Sequence, residues 1–251
     1  MLEHLQHDRI LELRLARPPV NALSPELIRL LRQAISAAPA EGAEAIVLSA
    51  GPGLFSAGLD VPALLQLDRA GMLAMWDDFY GLMAAVACSP VPTVAAITGH
   101  SPAGGTVVAL NCDYRVMAEG PFKLGLNETQ VGLALPRAIL ASLQRLVGAH
   151  RAERHVVAGN MIDASAALAI GLVDELVAPA QVIPRALEWC RFHLGLPRRA
   201  MRLNRAAARA DLCAIYQDAS AMQVDEFVEG WFHPETQAVL QALVARLKAK
   251  G

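Results

Sequence analysis

Two short apolar strands, each followed by a glycine-rich loop and a helix, constrain the fold of this chain more than any other feature. AIVLSA (45–50) precedes GPGLFSAGLD, and TVAAIT (93–98) precedes GHSPAGG. Strands without polar alternation are typical of parallel sheets covered on both faces. A helix between such strands is the connection that parallel pairing needs. The sequence therefore predicts an α/β core.

The remaining segments add a strand near the beginning and helices toward the end. Residues 10–16 alternate leucines with Glu12 and Arg14, which predicts a half-buried strand with the charged residues on the face opposite the leucines. Beyond Pro136 the pattern is mostly helical, with one short strand over 172–177. The helices expected after that strand span 179–194, 197–210, 214–230 and 234–249.

Composition narrows the classes of function. Of the 251 residues, 54% are hydrophobic and 18% are charged, which excludes an intrinsically disordered chain. There are 22 lysines and arginines against 24 aspartates and glutamates, so the chain lacks the basic excess that neutralises nucleic-acid phosphates. The longest apolar stretch, 91–110, contains Pro92, Pro102 and three glycines, so it does not predict a membrane-spanning helix. We expect neither a nucleic-acid nor a membrane partner.

The cysteines and histidines match no metal or redox motif. Neither a C-x-x-C pair nor an H-E-x-x-H motif occurs, so the sequence predicts no metal site and no redox dithiol. Charged residues within the first ten positions interrupt the apolar core that a signal peptide needs. Four cysteines in a chain of this length are ordinary for a reduced cytosolic protein, and we expect a soluble cytoplasmic one. They are Cys88, Cys112, Cys190 and Cys213.

Both glycine loops imitate known motifs without meeting their requirements. GPGLFS is similar to a dinucleotide-binding turn, but Ser56 replaces its third glycine. GHSPAG imitates the nucleophile elbow of a serine hydrolase, but Pro102 follows the serine and lacks the N–H that the elbow's oxyanion hole uses. The loops do offer backbone donors at helix starts, at 57–59 and 103–105. Each is either a tight turn or, if the two loops face each other, half of an oxyanion hole.

Glu128 is a candidate general base. It lies in GLNETQVGL, within a stretch that carries no other charge between Lys123 and Arg137. A carboxylate in apolar surroundings has a raised pKa, which moves it toward the range useful for proton abstraction. The alternative is an acid in the first turn of a helix, where it interacts favourably with the helix dipole. The residues alone leave both interpretations open.

Taken together, these segments resemble the crotonase (enoyl-CoA hydratase/isomerase) superfamily. The resemblance runs from the first strand to the end of the chain, and the joint occurrence of the motifs at the family's spacing makes it specific. The motifs are FSAGLD (55–60), PAGG (102–105), ALNCDYRVMAE (109–119), GLNETQVGL (125–133) and the segment 151–177. Within the superfamily, FSAGLD, PAGG and GLNETQ look like the mitochondrial type of Δ3-Δ2-enoyl-CoA isomerase.

The resemblance implies an α/β spiral of ββα units over 1–195 and an all-helical C-terminal extension over 196–251 that assembles a homotrimer or a dimer of trimers. It implies an acyl-CoA thioester substrate, with coenzyme A as part of the substrate and no metal or other cofactor. The resemblance assigns the two hydrogen-bond donors of the oxyanion hole to the N–H groups of Leu59 and Gly104. It assigns the role of catalytic carboxylate to Glu128. The further residues implied to contact the substrate are Ala57, Gly58, Asp60, Gly105 and Asn127.

One position separates two reactions of the superfamily. Its hydratases carry a second glutamate where this chain has Val107, beside Thr106. Adding water needs one group to orient the water and another to handle the second proton, whereas one carboxylate suffices to move a proton. We therefore expect an isomerase that converts 3-enoyl-CoA to 2-enoyl-CoA in fatty-acid degradation. Hydration, another thioester reaction and non-catalytic acyl-CoA binding are the alternatives, and we expect the other nearby carboxylates, Asp60 and Glu26, at helix starts.

Overall fold

Among residues 1–249, ten strands form two sheets, and from β3 to β8 the chain alternates between them. The structure is a computed structural model that describes residues 1–249. Its strands are β1 (Leu2–His7), β2 (Ile10–Leu15), β3 (Ala45–Ala50), β4 (Gly53–Leu54), β5 (Thr93–Ile97), β6 (Gly99–Pro102), β7 (Tyr114–Ala118), β8 (Lys123–Gly125), β9 (Met161–Asp163) and β10 (Glu175–Val177). The larger sheet has the order β1-β2-β3-β5-β7-β10 and the smaller one β4-β6-β8-β9. Neighbours are parallel except in the pairs β1–β2 and β8–β9.

Repeated ββα units build this arrangement, as the family resemblance implies. The strands β3, β5 and β7 lie in the larger sheet, the strand that follows each of them lies in the smaller sheet, and helical structure comes next. The helices are α1 (Pro25–Ala37), α2 (Val61–Leu64), α3 (Arg69–Ala87), α4 (Gly104–Leu110), α5 (Arg137–Val147), α6 (Ala149–Ala158), α7 (Ala164–Ala169), α8 (Val182–Leu194), α9 (Arg198–Ala208), α10 (Ala210–Gln217), α11 (Ala219–Met222), α12 (Val224–Trp231) and α13 (Pro234–Lys248). Two 3₁₀ helices span Glu128–Val131 and Pro179–Gln181.

The strand expected over 10–16 is present as β2, but the expectation that it is half-buried is wrong, because β2 is covered on both faces. Glu12 is 0% exposed. It stands opposite Val47 of β3, and Val47 and Ile10 pack in one apolar cluster with residues of α8. The helix α8, far along the chain, therefore covers the face on which the sequence pattern places charged residues.

The residue pattern does not predict the smaller sheet, because its strands are short and two of them meet at glycines. The strand β4 has two residues and β6 has four, too few for a periodic pattern. A Cβ atom built on Gly99 would lie 2.0 Å from the carbonyl carbon of Gly53. Only glycine allows these two strands to approach so closely.

The expectation of one continuous helix over 214–230 is also wrong, because the helical conformation is interrupted at two residues. Asp218 leaves the helical conformation and caps α11 by accepting a hydrogen bond from the N–H of Ser220 (2.9 Å). Gln223 then adopts φ +48°, a left-handed conformation that no α-helix continues through. Three short helices, α10, α11 and α12, replace the single predicted one.

The C-terminal helices pack on the same core as the sheets. Leu212, Tyr216 and Leu240 are buried in the cluster that also contains the leucines of β2. Phe227 of α12 stacks on Trp76 of α3 with 3.6 Å between ring centroids. Within residues 1–249, no helix has both the length and the apolar character needed to cross a bilayer. The boundary at 195/196 and the assembly role of these helices stay predictions.

Two of the four cysteines are bonded to each other, which corrects the expectation of reduced cysteines. Cys88, the residue that follows α3, forms a disulfide with Cys213 of α10. Their separation of 125 residues gives no local sequence signal for the pairing. Cys112 and Cys190 are free and buried.

Candidate active site

The three segments that contain the predicted site residues follow three adjacent parallel strands. In the smaller sheet, β4 pairs with β6 and β6 with β8, all parallel. The carboxyl ends of parallel strands lie at the same edge of a sheet, which is where α/β proteins bind ligands. Residues 57–60 follow β4, 103–105 follow β6, and 126–128 follow β8. The topology therefore brings the predicted oxyanion loops and the predicted base to one edge.

The first loop is held so that one N–H stays unpaired. The N–H of Leu23 donates to the carbonyl oxygen of Gly58 (2.8 Å), and the N–H of Asp60 donates to the carbonyl oxygen of Leu23 (3.1 Å). The N–H of Gly58 donates to Oγ of Ser56 (3.1 Å). Within residues 1–249, the intervening N–H of Leu59 donates to no acceptor. Because both flanking peptides are fixed, this donor is fixed as well.

The second loop leaves a matching donor at the start of α4. The N–H of Ala103 donates to the carbonyl oxygen of Gly125 (2.8 Å), and the first helical bond runs from the N–H of Val107 to the carbonyl of Ala103 (2.9 Å). The N–H of Gly104 has no acceptor in the described part of the chain. Ala103 adopts φ +46° and ψ −118°, a conformation that L-residues rarely adopt and that typically costs about 1–3 kcal/mol. Such strain is typical of sites that must present a backbone group.

The two loops are in direct backbone contact. A Cβ atom on Gly58 would lie 3.3 Å from the nitrogen of Gly104, and one on Gly104 would lie 3.3 Å from the nitrogen of Leu59. Gly105 is buried, and a Cβ there would lie 2.8 Å from Oγ of Ser101. The glycines thus allow the loops, and the two unpaired donors on them, to approach each other. The loops therefore do face each other, which favours the oxyanion-hole interpretation.

Glu128 follows β8 and begins a 3₁₀ helix, and β8 is hydrogen-bonded to α4, the helix that the second loop leads into. The N–H of Gly125 donates to Oγ1 of Thr106 (3.0 Å). Glu128 is half-buried, and its Oε2 is enclosed by protein without a hydrogen-bond partner among residues 1–249. Burial raises the pKa of this carboxyl group to about 7, opposed by a hydrogen bond from the residue's own backbone N–H. Asn127 precedes it and is half-buried, without a capping hydrogen bond from its side chain.

The other two carboxylates are both at helix starts, as expected. Asp60 caps α2 through the N–H of Ala63 (3.1 Å), and its other oxygen pairs with Arg17 (2.6 Å). Glu26 lies in the first turn of α1 and is exposed. Val107 is buried in α4. Within residues 1–249, no group of three or more histidine, cysteine, aspartate or glutamate side chains is placed to hold a metal ion.

Sequence reasoning missed the segment that supports the first loop. Asn21 accepts a hydrogen bond from the N–H of Arg17 (2.9 Å), and its amide donates to the carbonyl oxygen of Phe55 (3.3 Å). The backbone carbonyl of Asn21 accepts a hydrogen bond from Oγ of Ser56 (2.8 Å). The N–H of Ala57 donates to the backbone carbonyl of the neighbouring Val20 (3.0 Å). The available signal was a two-proline turn followed by asparagine, which adopts φ +49° here.

Sequence reasoning also missed that α13 closes over the site region. This helix contacts both α2, which follows the first loop, and the 3₁₀ helix that starts at Glu128. Oγ1 of Thr236 donates to the carbonyl oxygen of Gly132 (2.7 Å), and Leu240 is fully buried. The C-terminal helix therefore connects the two sides of the site within one chain.

Comparison with known proteins agrees with this fold. The family described as enoyl-CoA hydratase/isomerase matches residues 6–250. A protein named probable enoyl-CoA hydratase echA17 from Mycobacterium avium is 39% identical over 206 residues, which covers 80% of this chain and 77% of that protein. Human mitochondrial enoyl-CoA delta isomerase 1 is 34% identical over 236 residues, which covers 92% of this chain and 78% of that protein. The crystal structure of human mitochondrial Δ3-Δ2-enoyl-CoA isomerase has a TM-score of 0.92 and 31% identity, over 99% of this chain and 98% of that one.

The spiral of ββα units defines the crotonase fold, and enzymes of the matched family act in acyl-CoA metabolism. This chain belongs to the enoyl-CoA hydratase/isomerase family. Its relatives include proteins named as hydratases and proteins named as isomerases. Family membership therefore leaves the choice between the two reactions to the residues of the site.

Proposed function

We propose that this protein is a Δ3-Δ2-enoyl-CoA isomerase. The observation that carries the proposal is Glu128, whose enclosed Oε2 has no hydrogen-bond partner among residues 1–249, at the sheet edge that also presents the unpaired N–H groups of Leu59 and Gly104. An enclosed carboxylate oxygen without a partner is unfavourable for stability, so a role in proton transfer accounts for the presence of Glu128 better than a role in folding.

In the proposed mechanism, the thioester oxygen of a 3-enoyl-CoA accepts hydrogen bonds from the N–H groups of Leu59 and Gly104. Glu128 removes a proton from C2, and negative charge develops on the thioester oxygen. Removing one such donor typically lowers the rate about 10²–10³-fold. The dienolate then takes the same proton from Glu128 at C4, and the double bond moves from C3 to C2. A pKa of about 7 lets Glu128 both accept and return the proton near neutral pH.

The site residues favour isomerisation over hydration. Hydration needs a second acid or base, and the position where the superfamily's hydratases carry it is the buried Val107. The carboxylate of Asp60 is engaged by Arg17 and by the start of α2. Glu128 alone can move one proton between two carbon atoms, which is all that isomerisation needs. Hydration also needs a second group that orients a water molecule against C3, and Glu128 cannot do both.

The remaining elements of the proposal concern binding and assembly. Ala57, Gly58, Asp60, Gly105 and Asn127 are proposed to line the substrate site. The chemistry uses no metal or redox cofactor, because proton transfer and oxyanion stabilisation suffice. We further propose a homotrimer or dimer of trimers in the cytoplasm.

A spectrophotometric assay with 3-enoyl-CoA and 2-enoyl-CoA substrates of several chain lengths tests the reaction. Isomerisation creates a conjugated thioester and raises its absorbance, whereas hydration of 2-enoyl-CoA removes it. We expect turnover of 3-enoyl-CoA at least about 100-fold faster than water addition, a margin of the size that one catalytic group provides. Faster hydration would assign the protein to the hydratases, and binding without either reaction would make it an acyl-CoA-binding protein.

A further inference from the structure

The disulfide between Cys88 and Cys213 lies in a surface cavity, away from the loops described above. Cys88 is exposed and Cys213 is half-buried. Both line a cavity of about 280 Å³ between the end of α3 and the helices α9 and α10. In the single chain that the structure describes, a small molecule can therefore reach this cavity from solvent without unfolding of the protein.

Three arginines line the same cavity and make it electropositive. Arg205 and Arg209 share one carboxylate, that of Asp113, at 2.7 Å and 3.2 Å. Arg202 is exposed, and no carboxylate of the described residues lies within 4 Å of it. The nearby Asp211 is paired with Arg145, which is outside the cavity lining. The cavity lining thus contains more positive than negative charge, beside a bond that thiolates attack.

We propose that Cys88–Cys213 is a reaction site for small thiols that carry acidic groups. The thiolate of such a reagent attacks Sγ of Cys88, the more exposed of the two residues, and forms a mixed disulfide. The bond to Cys213 breaks, and the electron pair leaves on Sγ of Cys213 as a thiolate. A second thiolate attacks the outer sulfur of the mixed disulfide, which releases the oxidised reagent and leaves Cys88 as a thiolate. The reagent supplies both electrons.

The arginines favour this reaction in two ways. Their positive charge raises the local concentration of an anionic reagent. Positive charge also stabilises the departing thiolate, and a more stable thiolate leaves faster. Among the described residues, this disulfide is the only covalent link between α3 and α10 apart from the backbone, and reduction breaks it. The packing of Leu212 in the core and the hydrogen bond between Tyr216 and Ser142 (2.8 Å) remain, so we expect the reduced protein to stay folded.

Three two-carbon thiols of different charge test the proposal on the whole protein. They are 2-mercaptoethanesulfonate (anionic), 2-mercaptoethanol (neutral) and cysteamine (cationic). Reaction is stopped with acid, free thiols are alkylated, and intact mass gives the fractions of mixed disulfide and dithiol. Rates are expressed per thiolate and relative to a small reference disulfide. At low ionic strength we expect the anionic thiol to react about tenfold faster than the cationic one, and the ratio to shrink in 0.5 M salt.

Matched variants show whether the arginines cause the preference. Arg202→Gln should lower the anionic-to-cationic rate ratio at least about twofold. Arg199→Gln changes an exposed arginine of the same helix that does not line the cavity, and it should leave the ratio unchanged. Cys88→Ser with Cys213→Ser should abolish the adduct. Equal rates for the three thiols, faster reaction of cysteamine, or a purified protein with four free thiols would overturn the proposal.

Two biological sources of anionic thiols are distinguished by the same measurement. Glutathione carries carboxylates, and free coenzyme A carries phosphates. We expect both to react faster per thiolate than 2-mercaptoethanol, and the faster of the two identifies the acidic group that the cavity prefers. If neither exceeds 2-mercaptoethanol, the cavity does not select anionic thiols and the proposal is wrong.

Discussion

Two glutamates in two regions of this molecule differ in what surrounds their carboxylates. Glu12, in the larger sheet, accepts a hydrogen bond from Oγ of Ser49 (2.6 Å) and pairs with Arg14 (2.8 Å). Its second oxygen lies 2.7 Å from Nε2 of His7. Glu128, at the edge of the smaller sheet, has an enclosed oxygen without a partner among the described residues.

Hydrogen-bond partners, rather than burial, decide whether the carboxyl groups of Glu12 and Glu128 are ionised. Burial alone would raise the pKa of Glu12, but hydrogen bonds from Ser49, His7 and Arg14 outweigh it and lower that pKa below its ordinary value of 4.5. Burial without such partners raises the pKa of Glu128 to about 7. One carboxylate therefore stays ionised and stabilises the sheet, whereas the other is poised to exchange a proton.

The largest expected effect is the loss of activity in Glu128→Gln. Glutamine keeps the volume of the side chain but cannot accept a proton, so turnover of 3-enoyl-CoA should fall about 10²–10⁴-fold. The conjugated-thioester assay measures it. Glu26→Gln, which changes an exposed glutamate in the first turn of α1, is the matched control and should keep wild-type turnover. More than about a tenth of wild-type turnover in Glu128→Gln would refute the assigned base.

The second effect is the loss of stability in Glu12→Gln. Hydrogen bonds to charged groups contribute about 1.5–3 kcal/mol each, and the partial exposure of Arg14 and His7 reduces their share. We expect the free energy of unfolding at pH 7 to fall by about 2–3 kcal/mol, as measured by urea denaturation. Turnover of the folded variant should stay within about twofold of wild type. A large loss of turnover without a loss of stability would reverse the roles given to the two glutamates.

The third effect is an opposite dependence of stability on pH in the same two variants. The raised pKa of Glu128 disfavours the folded state as pH rises from 4.5 through about 7, so Glu128→Gln should be more stable than wild type at pH 8 by about 3 kcal/mol. Below pH 4.5, where the carboxyl group is protonated in both the folded and the unfolded state, the two should be equal. The lowered pKa of Glu12 stabilises the folded state above 4.5, and this contribution is lost as pH falls through the lower folded-state pKa. Unfolding midpoints from pH 4 to 8 measure both trends, and parallel curves for the two variants would contradict the comparison.

The smallest effect concerns one partner of Glu12. Ser49→Ala removes a buried hydroxyl that donates to a carboxylate, so we expect a loss of about 1–2 kcal/mol in the free energy of unfolding. Ser101→Ala is the matched control, because Ser101 is equally buried but its Oγ has no partner among the described residues. We expect no loss there. Equal destabilisation of both variants would mean that packing, not the hydrogen bond, determines the effect.

The sequence predicts those features that depend on neighbouring residues. The apolar run 45–50 forms β3 over the predicted residues, because a fully buried strand needs no partner information to be recognised. Asp60 caps α2 as its position before Val61-Pro62 indicates. The charge-free stretch around Glu128 indicates an enclosed carboxylate with a raised pKa, and the structure has one.

Features that depend on distant segments could not be predicted. The pattern of β2 places Glu12 in solvent, and only the packing of α8 shows that this face is covered. The link between Cys88 and Cys213 joins helices 125 residues apart. The support of the first loop by Asn21 depends on a bond to Phe55, 34 residues away. In each case the deciding contact is set by tertiary structure rather than by local pattern.

The dependence of kcat/KM on pH tests the central claim most directly, because it reports the pKa of the essential base in the free enzyme. Glu128 must be ionised to remove a proton from C2 of the substrate. We expect kcat/KM for a 3-enoyl-CoA to rise with pH through an apparent pKa of about 7 and to level off above it, with the rise absent from the residual activity of Glu128→Gln. A profile that stays flat from pH 8 down to pH 5.5 would contradict the account, because it would mean that no carboxylate with a raised pKa limits the reaction.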